Sequence, residues 1–522
     1  MACSQCRHNR YVFLNRDKHK EADYEKGWHA YARRPPPPGG GGGGGLCIGD
    51  FGKESYNFVD LLKEAKAAIW QMLPLNPLGY GNSPYQPYSS CAGDELYINL
   101  DKLCEEGLLK RVPDFHSNAT HIDYQAVREF KGKYLKKAFK NFKPDAGYKK
   151  FTKMDWVYNY AVFLTLKKQN NLVSWNEWPV EQQNWIKDHK YDLTPLKEDI
   201  EYEMFVQYEF YKQWMELKKY ANKNGIKVMG DIPIYVGIDS LDVWSGQENF
   251  LLGADGKPTF IAGVPPDYFS ATGQRWGNPI YDWDYMEKDG FKFWLNRLDY
   301  SSKLFDIIRI DHFRAFDSYW KIPAACETAV DGEWNYAPGY KLFDTVFKVM
   351  PDINIIVEDL GDLRPEVLEL RDHYEFKGMR IVQFCFTEND VADGEYTDTH
   401  NLVLYTGTHD NDTINGWYKS LSRKEKNQTR RFLDKAGIPD GAVSWRMVSF
   451  TLSQDCYMAI LPYQDVCDLG AKTRLNLPGT LGSPNWEWKA KNLDDFAART
   501  KEFAELVKNP VKRPSQRKKK QA

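Results

Sequence analysis

Three stretches of the sequence end in groups suited to acid–base and nucleophilic chemistry. Phe305-Asp306-Ile307-Ile308-Arg309-Ile310-Asp311-His312-Phe313-Arg314 is a short β-branched run that climbs to Arg309, Asp311 and His312. Asn354-Ile355-Ile356-Val357 runs into Glu358-Asp359, and Leu402-Val403-Leu404-Tyr405 leads through Thr406-Gly407-Thr408 to His409-Asp410. Each has the pattern of a buried parallel strand whose last residues leave the core and enter a site. Two carboxyl groups on neighbouring strands can act on a glycosidic bond as nucleophile and acid/base, and retention of configuration wants them about 5–5.5 Å apart. Asp311 suits the nucleophile, because Arg309, two residues earlier, points to the same side and favours its charged form. Glu358 has the longer arm and suits the acid/base. Asp410, with His409, suits a stabiliser of a flattened, positively charged sugar ring. A single strand-end Asp is commonly a helix cap or an ion-pair partner; here the argument rests on three in succession.

Clustered Asp, Glu and His also bind metals, but no HxH, HExxH or EF-hand spacing occurs. Cys3-Ser4-Gln5-Cys6 is a lone CxxC without a second pair at zinc-site spacing. No metal and no cofactor is expected.

Chemistry at the carboxyl ends of parallel strands is the arrangement of a (β/α)8 barrel. Strands are expected near residues 67, 226, 305, 354, 379, 402 and 457, so a closed barrel needs an eighth, expected before Gly49. The catalytic barrel is expected over residues 48–507, without a separate C-terminal β-domain. Residues 101–224 read as a helical insertion, with helices near 122–142, 150–169 and 196–223. Residues 237–285 read as an active-site loop insertion, and 253–284 within it carries few helix signals. The segment Leu75–Tyr88 is dense in Gly, Pro and Tyr, as a shaped loop after a strand would be. Residues 1–47 include Pro35–Pro38 and Gly39–Gly45, low-complexity sequence with no strand before it and so no dinucleotide-binding loop. Residues 508–522 form a basic tail expected to be disordered.

A formal net charge of −2 over 522 residues argues against nucleic acid as a partner. Aromatic residues make up 15% of the chain, with 17 Trp and 32 Tyr; they can fill a core or stack on sugar rings. Nine scattered cysteines point to a reducing compartment, and no segment reads as a membrane span or a secretory signal, so a cytoplasmic location is expected.

Several longer motifs carry a family resemblance. They are Ile48–Gly52, Trp70–Leu75, Gly79–Gln86, Gly230–Val236, Gly263–Pro279, Arg309–Arg314, Glu358–Gly361, Thr408–Thr413 and Asn476–Thr480 with Asn485-Trp486. Over about residues 48 to 507 the chain resembles the 4-α-glucanotransferases (amylomaltases, or disproportionating enzymes) of the α-amylase clan. The resemblance implies transfer of an α-1,4-glucan segment to the 4-hydroxyl of another glucan through a covalent glucosyl-enzyme. It implies Asp311 as nucleophile, Glu358 as acid/base and Asp410 as stabiliser. Tyr85, Asp231, Arg309 and His409 would line the subsite for the reacting glucose, and Tyr268 and Phe269 would lie over the acceptor side near Gln274, Trp276 and Asn278. His312 and Asn485 join the substrate contacts, and Tyr80 matches a secondary glucan contact. An amylase-like hydrolase and an inactive glucan-binding homologue are the alternatives. The family has an apolar strand just before Gly49-Asp50, where this chain has proline and glycine. Arg10–Asn15 supplies the strand, the barrel is open there, or the N-terminal sequence is not native.

Overall fold

The computed structural model describes residues 25–29, 49–113, 115, 120–266, 270–361, 363–386 and 399–511. Its frame is a sheet of eight parallel strands. In chain order they are β1 (Glu25–His29), β2 (Ile69–Gln71), β3 (Lys227–Ile232), β6 (Ile307–Ile310), β9 (Ile355–Val357), β10 (Gly378–Ile381), β11 (Leu402–Tyr405) and β12 (Met458–Pro462). The spatial order is β10-β11-β12-β1-β2-β3-β6-β9. The outermost strands also meet: Ile356 forms a parallel bridge with Lys377, the residue before β10, and the Val357 N–H donates to the Lys377 carbonyl at 3.0 Å.

All seven strands expected from the sequence are present, and the eighth does precede Gly49. The expected segment Arg10–Asn15 lies outside the described residues. The strand that fills the position is Glu25–His29, paired in parallel with β12 on one side and β2 on the other. Glu-Lys-Gly-Trp-His is not an apolar run and has a glycine at its centre; strand propensity yields to pairing on both edges.

The sheet has two faces. On one, Ile69, Met229, Ile307, Ile356, Met379, Ile381, Val403, Tyr405, Met458 and Ile460 pack together, so seven strands share one apolar cluster. On the other, Trp70, Val228, Leu404 and Leu461 pack against helices. β6, β9, β11 and β12 are buried throughout, which explains their uninterrupted apolar sequences. At Gly230 of β3 a side chain is excluded: a Cβ there would lie 2.2 Å from the Phe305 ring.

Helices Tyr124–Asn141, Asp155–Gln169 and Lys197–Lys223 match the helical pattern of the 101–224 segment. The last of them belongs to the core of the sheet. Its Phe205, Phe210, Trp214 and Leu217 pack in the same cluster as Trp70 and Val228, and the Trp214 indole N–H donates to the Leu304 carbonyl at 3.2 Å.

The 253–284 segment is structured, contrary to the reading of its sequence. It contains β4 (Phe260–Val264), β5 (Gln274–Pro279) and the start of helix Trp283–Asp289. With β7 (Ser318–Pro323) and β8 (Glu333–Tyr336) these strands form an antiparallel sheet in the order β5-β4-β7-β8. Gln-Arg-Trp-Gly-Asn-Pro has no apolar alternation to mark it as a strand; its partners along β4 set its conformation.

Candidate active site

The ends of β3, β6 and β9 bring the first charged groups together. Register pairs Asp231 with Arg309 and Ile310 with Val357. The ladder continues past the named strands: the Asp311 N–H donates to the Ile232 carbonyl at 3.0 Å, and the Glu358 N–H donates to the Ile310 carbonyl at 2.9 Å. Asp311 and Glu358 therefore leave neighbouring strands at the same level. Adjacent strands are about 4.8 Å apart, so two side chains leaving them at one level can reach a single sugar unit.

The Arg309 guanidinium organises the charge. It donates to both oxygens of Asp231 at 2.7 Å and lies 3.0 Å from Asp311 Oδ1. Arg309 and Asp231 are buried, so removing Arg309 would leave the Asp231 charge uncompensated, a cost of roughly 3–5 kcal/mol. The Tyr85 hydroxyl donates to Asp231 Oδ2 at 2.8 Å and lies 3.3 Å from His409 Nδ1. The Tyr85 and His409 rings stack at 4.9 Å, and Trp486 flanks both. His409 Nε2 is 3.4 Å from Asp410 Oδ2. One polar chain thus joins Asp311, Arg309, Asp231, Tyr85, His409 and Asp410.

Glu358 enters from the other side. Its two oxygens accept the backbone N–H groups of His312 and Leu360, each at 2.8 Å. His312 turns the chain sharply after Asp311, with φ of 50°, and its ring meets Trp276 edge-on at 4.8 Å.

The carboxyl groups are not electrostatically alike. Burial, then the charge of Asp311, pushes Glu358 up to about 7. Burial also raises Asp311 above the usual carboxylate range, while Arg309 opposes it. Asp410 goes the other way, to about 2: burial opposes its charge, but His409 and the Asn476 amide outweigh burial. His409 is raised, with burial opposed by Asp410, whereas His312 is lowered to about 4 by burial and by Arg314. Burial, then Asp231, holds the Tyr85 hydroxyl well above its ordinary value. At neutral pH the site carries anionic Asp410, a neutral His312 and a proton available on Glu358.

Other expected contacts have structural partners. Asn278 accepts from Gln86 at 3.0 Å and donates to the Val236 carbonyl at 3.0 Å. Gln274 accepts the Trp276 indole N–H at 3.1 Å. Asn485 accepts the Leu477 N–H at 2.9 Å and donates to the Thr480 hydroxyl at 2.9 Å, so its amide shapes its own loop. Tyr80 starts a single 3₁₀ turn, Tyr80–Asn82. Tyr268 and Phe269 lie outside the described residues.

Two polar contacts to Asp410 are not evident from the sequence alone. The Asn476 amide donates to Asp410 Oδ1 at 2.6 Å, and Arg474 donates to the Asp410 carbonyl at 2.6 Å. Asn476 opens the motif Asn476–Thr480 and Arg474 lies two residues before it, but nothing in the sequence says that they reach Asp410, more than sixty residues away. Among the described residues no group of three His, Cys, Asp or Glu side chains is arranged to hold a metal ion.

A family model described as 4-alpha-glucanotransferase matches residues 43–494. The chain belongs to the 4-α-glucanotransferase family. It is 41% identical over 460 residues to a 4-alpha-glucanotransferase of Thermus thermophilus, covering 85% of this chain and 91% of that protein. To one from Streptococcus pneumoniae it is 42% identical over 455 residues, covering 85% and 90%. Among solved structures, amylomaltase from Streptococcus agalactiae in complex with acarbose superposes with a TM-score of 0.85 at 35% identity, covering 94% of this chain and all of that one. The family's activity is that of a glycosyl transferase on α-1,4-glucans, as expected from the motifs.

Proposed function

We propose that the chain transfers α-1,4-glucan segments by double displacement on the carboxyl edge of a closed (β/α)8 barrel spanning about residues 48–507, completed by Glu25–His29. The apolar cluster shared by seven strands and the Ile356–Lys377 bridge support closure.

The level placement of Asp311 and Glu358 on adjacent strands carries the mechanistic reading. Asp311, oriented by Arg309, attacks the anomeric carbon; Glu358 gives its proton to the leaving glucosidic oxygen. A β-glucosyl ester forms on Asp311 as the α-glycosidic bond breaks. An acceptor 4-hydroxyl then loses its proton to Glu358 and displaces the ester, restoring the α-linkage. Asp410, His409 and Asp231 surround the charge that develops on the ring, and Tyr85 stacks on the sugar. Trp276, His312, Gln274, Asn278, Tyr268 and Phe269 serve the acceptor side, with Asn485 holding the loop beside Asp410 and Tyr80 serving a secondary glucan contact.

Water and a sugar hydroxyl compete for the same ester, and acceptor positioning with water exclusion decides between transfer and hydrolysis. The substrates are maltooligosaccharides and the outer chains of starch or glycogen. A reducing, cytoplasmic setting fits the nine scattered cysteines of the sequence, and no described helix is long and apolar enough to cross a membrane.

Product analysis on maltotriose tests this function. Glucose with a ladder of longer glucans, at a constant number of reducing ends, is the expected result. Maltose and glucose with rising reducing ends would make the chain a hydrolase, and glucan binding without products would make it an inactive homologue.

A further inference from the structure

The outer strand of the antiparallel sheet exposes two large aromatic rings. β8 is an edge strand, and its Trp334 and Tyr336 are 38% and 70% exposed. Single exposed aromatics are ordinary. These two are separated by one residue, so they stand on the same face of β8, about 6.6 Å apart along the strand.

Both rings are backed by a cation. The Arg314 guanidinium lies 3.9 Å from the centre of the Trp334 ring, and that of Arg364 lies 5.1 Å from the centre of Tyr336. A guanidinium on one face fixes the ring plane and leaves the opposite face for another planar or apolar group. The edge of Trp320 at 5.1 Å fixes Trp334 further. Arg364 is itself held, 2.8 Å from Glu366 and 3.6 Å from Asp317.

The arginines that back the rings follow the carboxylate-bearing strands in the chain. Arg314 is three residues beyond Asp311, on the short turn Phe313–Phe316 that follows β6. Arg364 is six residues beyond Glu358, on the segment that follows β9. The platform therefore rests on the two loops that leave the carboxylate-bearing strands. Edge strands are usually blunted by charge or proline; this one presents rings with the flat, amphipathic surface that sugars stack on.

We propose that Trp334 and Tyr336 form a stacking platform for a distal part of an α-1,4-glucan chain whose reacting glucose sits over Asp311 and Glu358. This rests on the glucan-transfer reading above. A short substrate ends before the platform and a long one reaches it, so the platform sets a preference for chain length.

The test compares wild type with Tyr336→Ala, Trp334→Ala, the double variant and the ring-preserving Tyr336→Phe. Affinity electrophoresis in gels containing amylose reads binding whether or not the enzyme turns over. The amylose-to-maltotriose ratio of kcat/KM reads the length preference. The double variant is expected to lose roughly tenfold in amylose affinity and in that ratio, while Tyr336→Phe keeps both. Tyr336→Ala alone should show part of the loss; because its ring is exposed, this variant guards against a folding defect at Trp334. Unchanged amylose retardation and an unchanged ratio in the folded double variant would overturn the platform. So would a loss in Tyr336→Phe equal to that in Tyr336→Ala. If wild type gives no ladder from maltotriose, the transfer reading fails, and the retardation experiment still decides the platform.

Discussion

Glu358 at the end of β9 and Asp410 beyond the end of β11 are both half-buried carboxyl groups, yet they hold protons oppositely. Glu358 is pushed up to about 7 and Asp410 down to about 2. Burial raises both. The difference lies in the neighbours. Glu358 faces another carboxylate, Asp311, and its two backbone N–H donors do not compensate. Asp410 faces an imidazole raised toward its charged form and accepts a 2.6 Å bond from Asn476. The strand ends bring carboxyl groups into one site, and the side chains reaching in from elsewhere decide which one keeps a proton.

The strongest way to break this contrast is to remove the charge that raises Glu358. Asp311→Asn is expected to reduce transfer by at least about 10³-fold. It should also bring Glu358 down toward the ordinary range, visible by NMR titration of labelled glutamate carboxyls. A value still near 7 in that variant would assign the shift to burial alone.

Glu358→Gln is next, with an expected loss of about 10²–10⁴-fold in kcat. Glu358 must be protonated to act as an acid, so wild-type activity should fall as pH rises through about 7. The variant should lose that alkaline limb. Linkage gives a second reading: a carboxyl raised in the folded state favours folding below its unfolded value near 4.3 and loses that contribution as pH rises through about 7. The thermal midpoint of the Gln variant should therefore gain on wild type between pH 4.5 and 7.5. A constant difference across that window would contradict the raised value.

The smallest effect sharpens the other half. Asn476→Ala removes one hydrogen bond to a charged acceptor, for which about 1.5–3 kcal/mol is typical, so kcat should fall roughly ten- to hundredfold. Asp410 should titrate higher than in wild type, because one of the groups lowering it is gone. Unchanged kinetics would leave Asn476 with a loop-holding role only.

How far the sequence reveals this arrangement depends on where the determining contacts lie. The strands that carry Asp311 and Glu358, and the one that leads to Asp410, are legible because each is buried throughout and so is written as an unbroken apolar run that stops at a charge. Arg309 beside Asp311 is legible from two-residue alternation. Glu25–His29 is not, because its place depends on two partners more than forty and four hundred residues away. β4 and β5 are missed for the same reason: glycine in β4 and glycine, proline and tryptophan in β5 hide the alternation, and pairing of β4 with β7 and of β5 with β4 supplies the order. The Asn476–Asp410 and Tyr85–Asp231 bonds join distant segments. Motif matching marks those stretches as important without saying what touches what.

The division of labour between Asp311 and Glu358 is tested most directly by trapping the covalent species. Glu358→Gln incubated with an α-maltotriosyl fluoride, whose leaving group needs no proton, should accumulate a glucosyl-enzyme. Peptide mapping by mass spectrometry should place the added sugar on Asp311. An ester on Asp231 or Asp410, or turnover of the fluoride with no covalent species at any pH, would contradict the account.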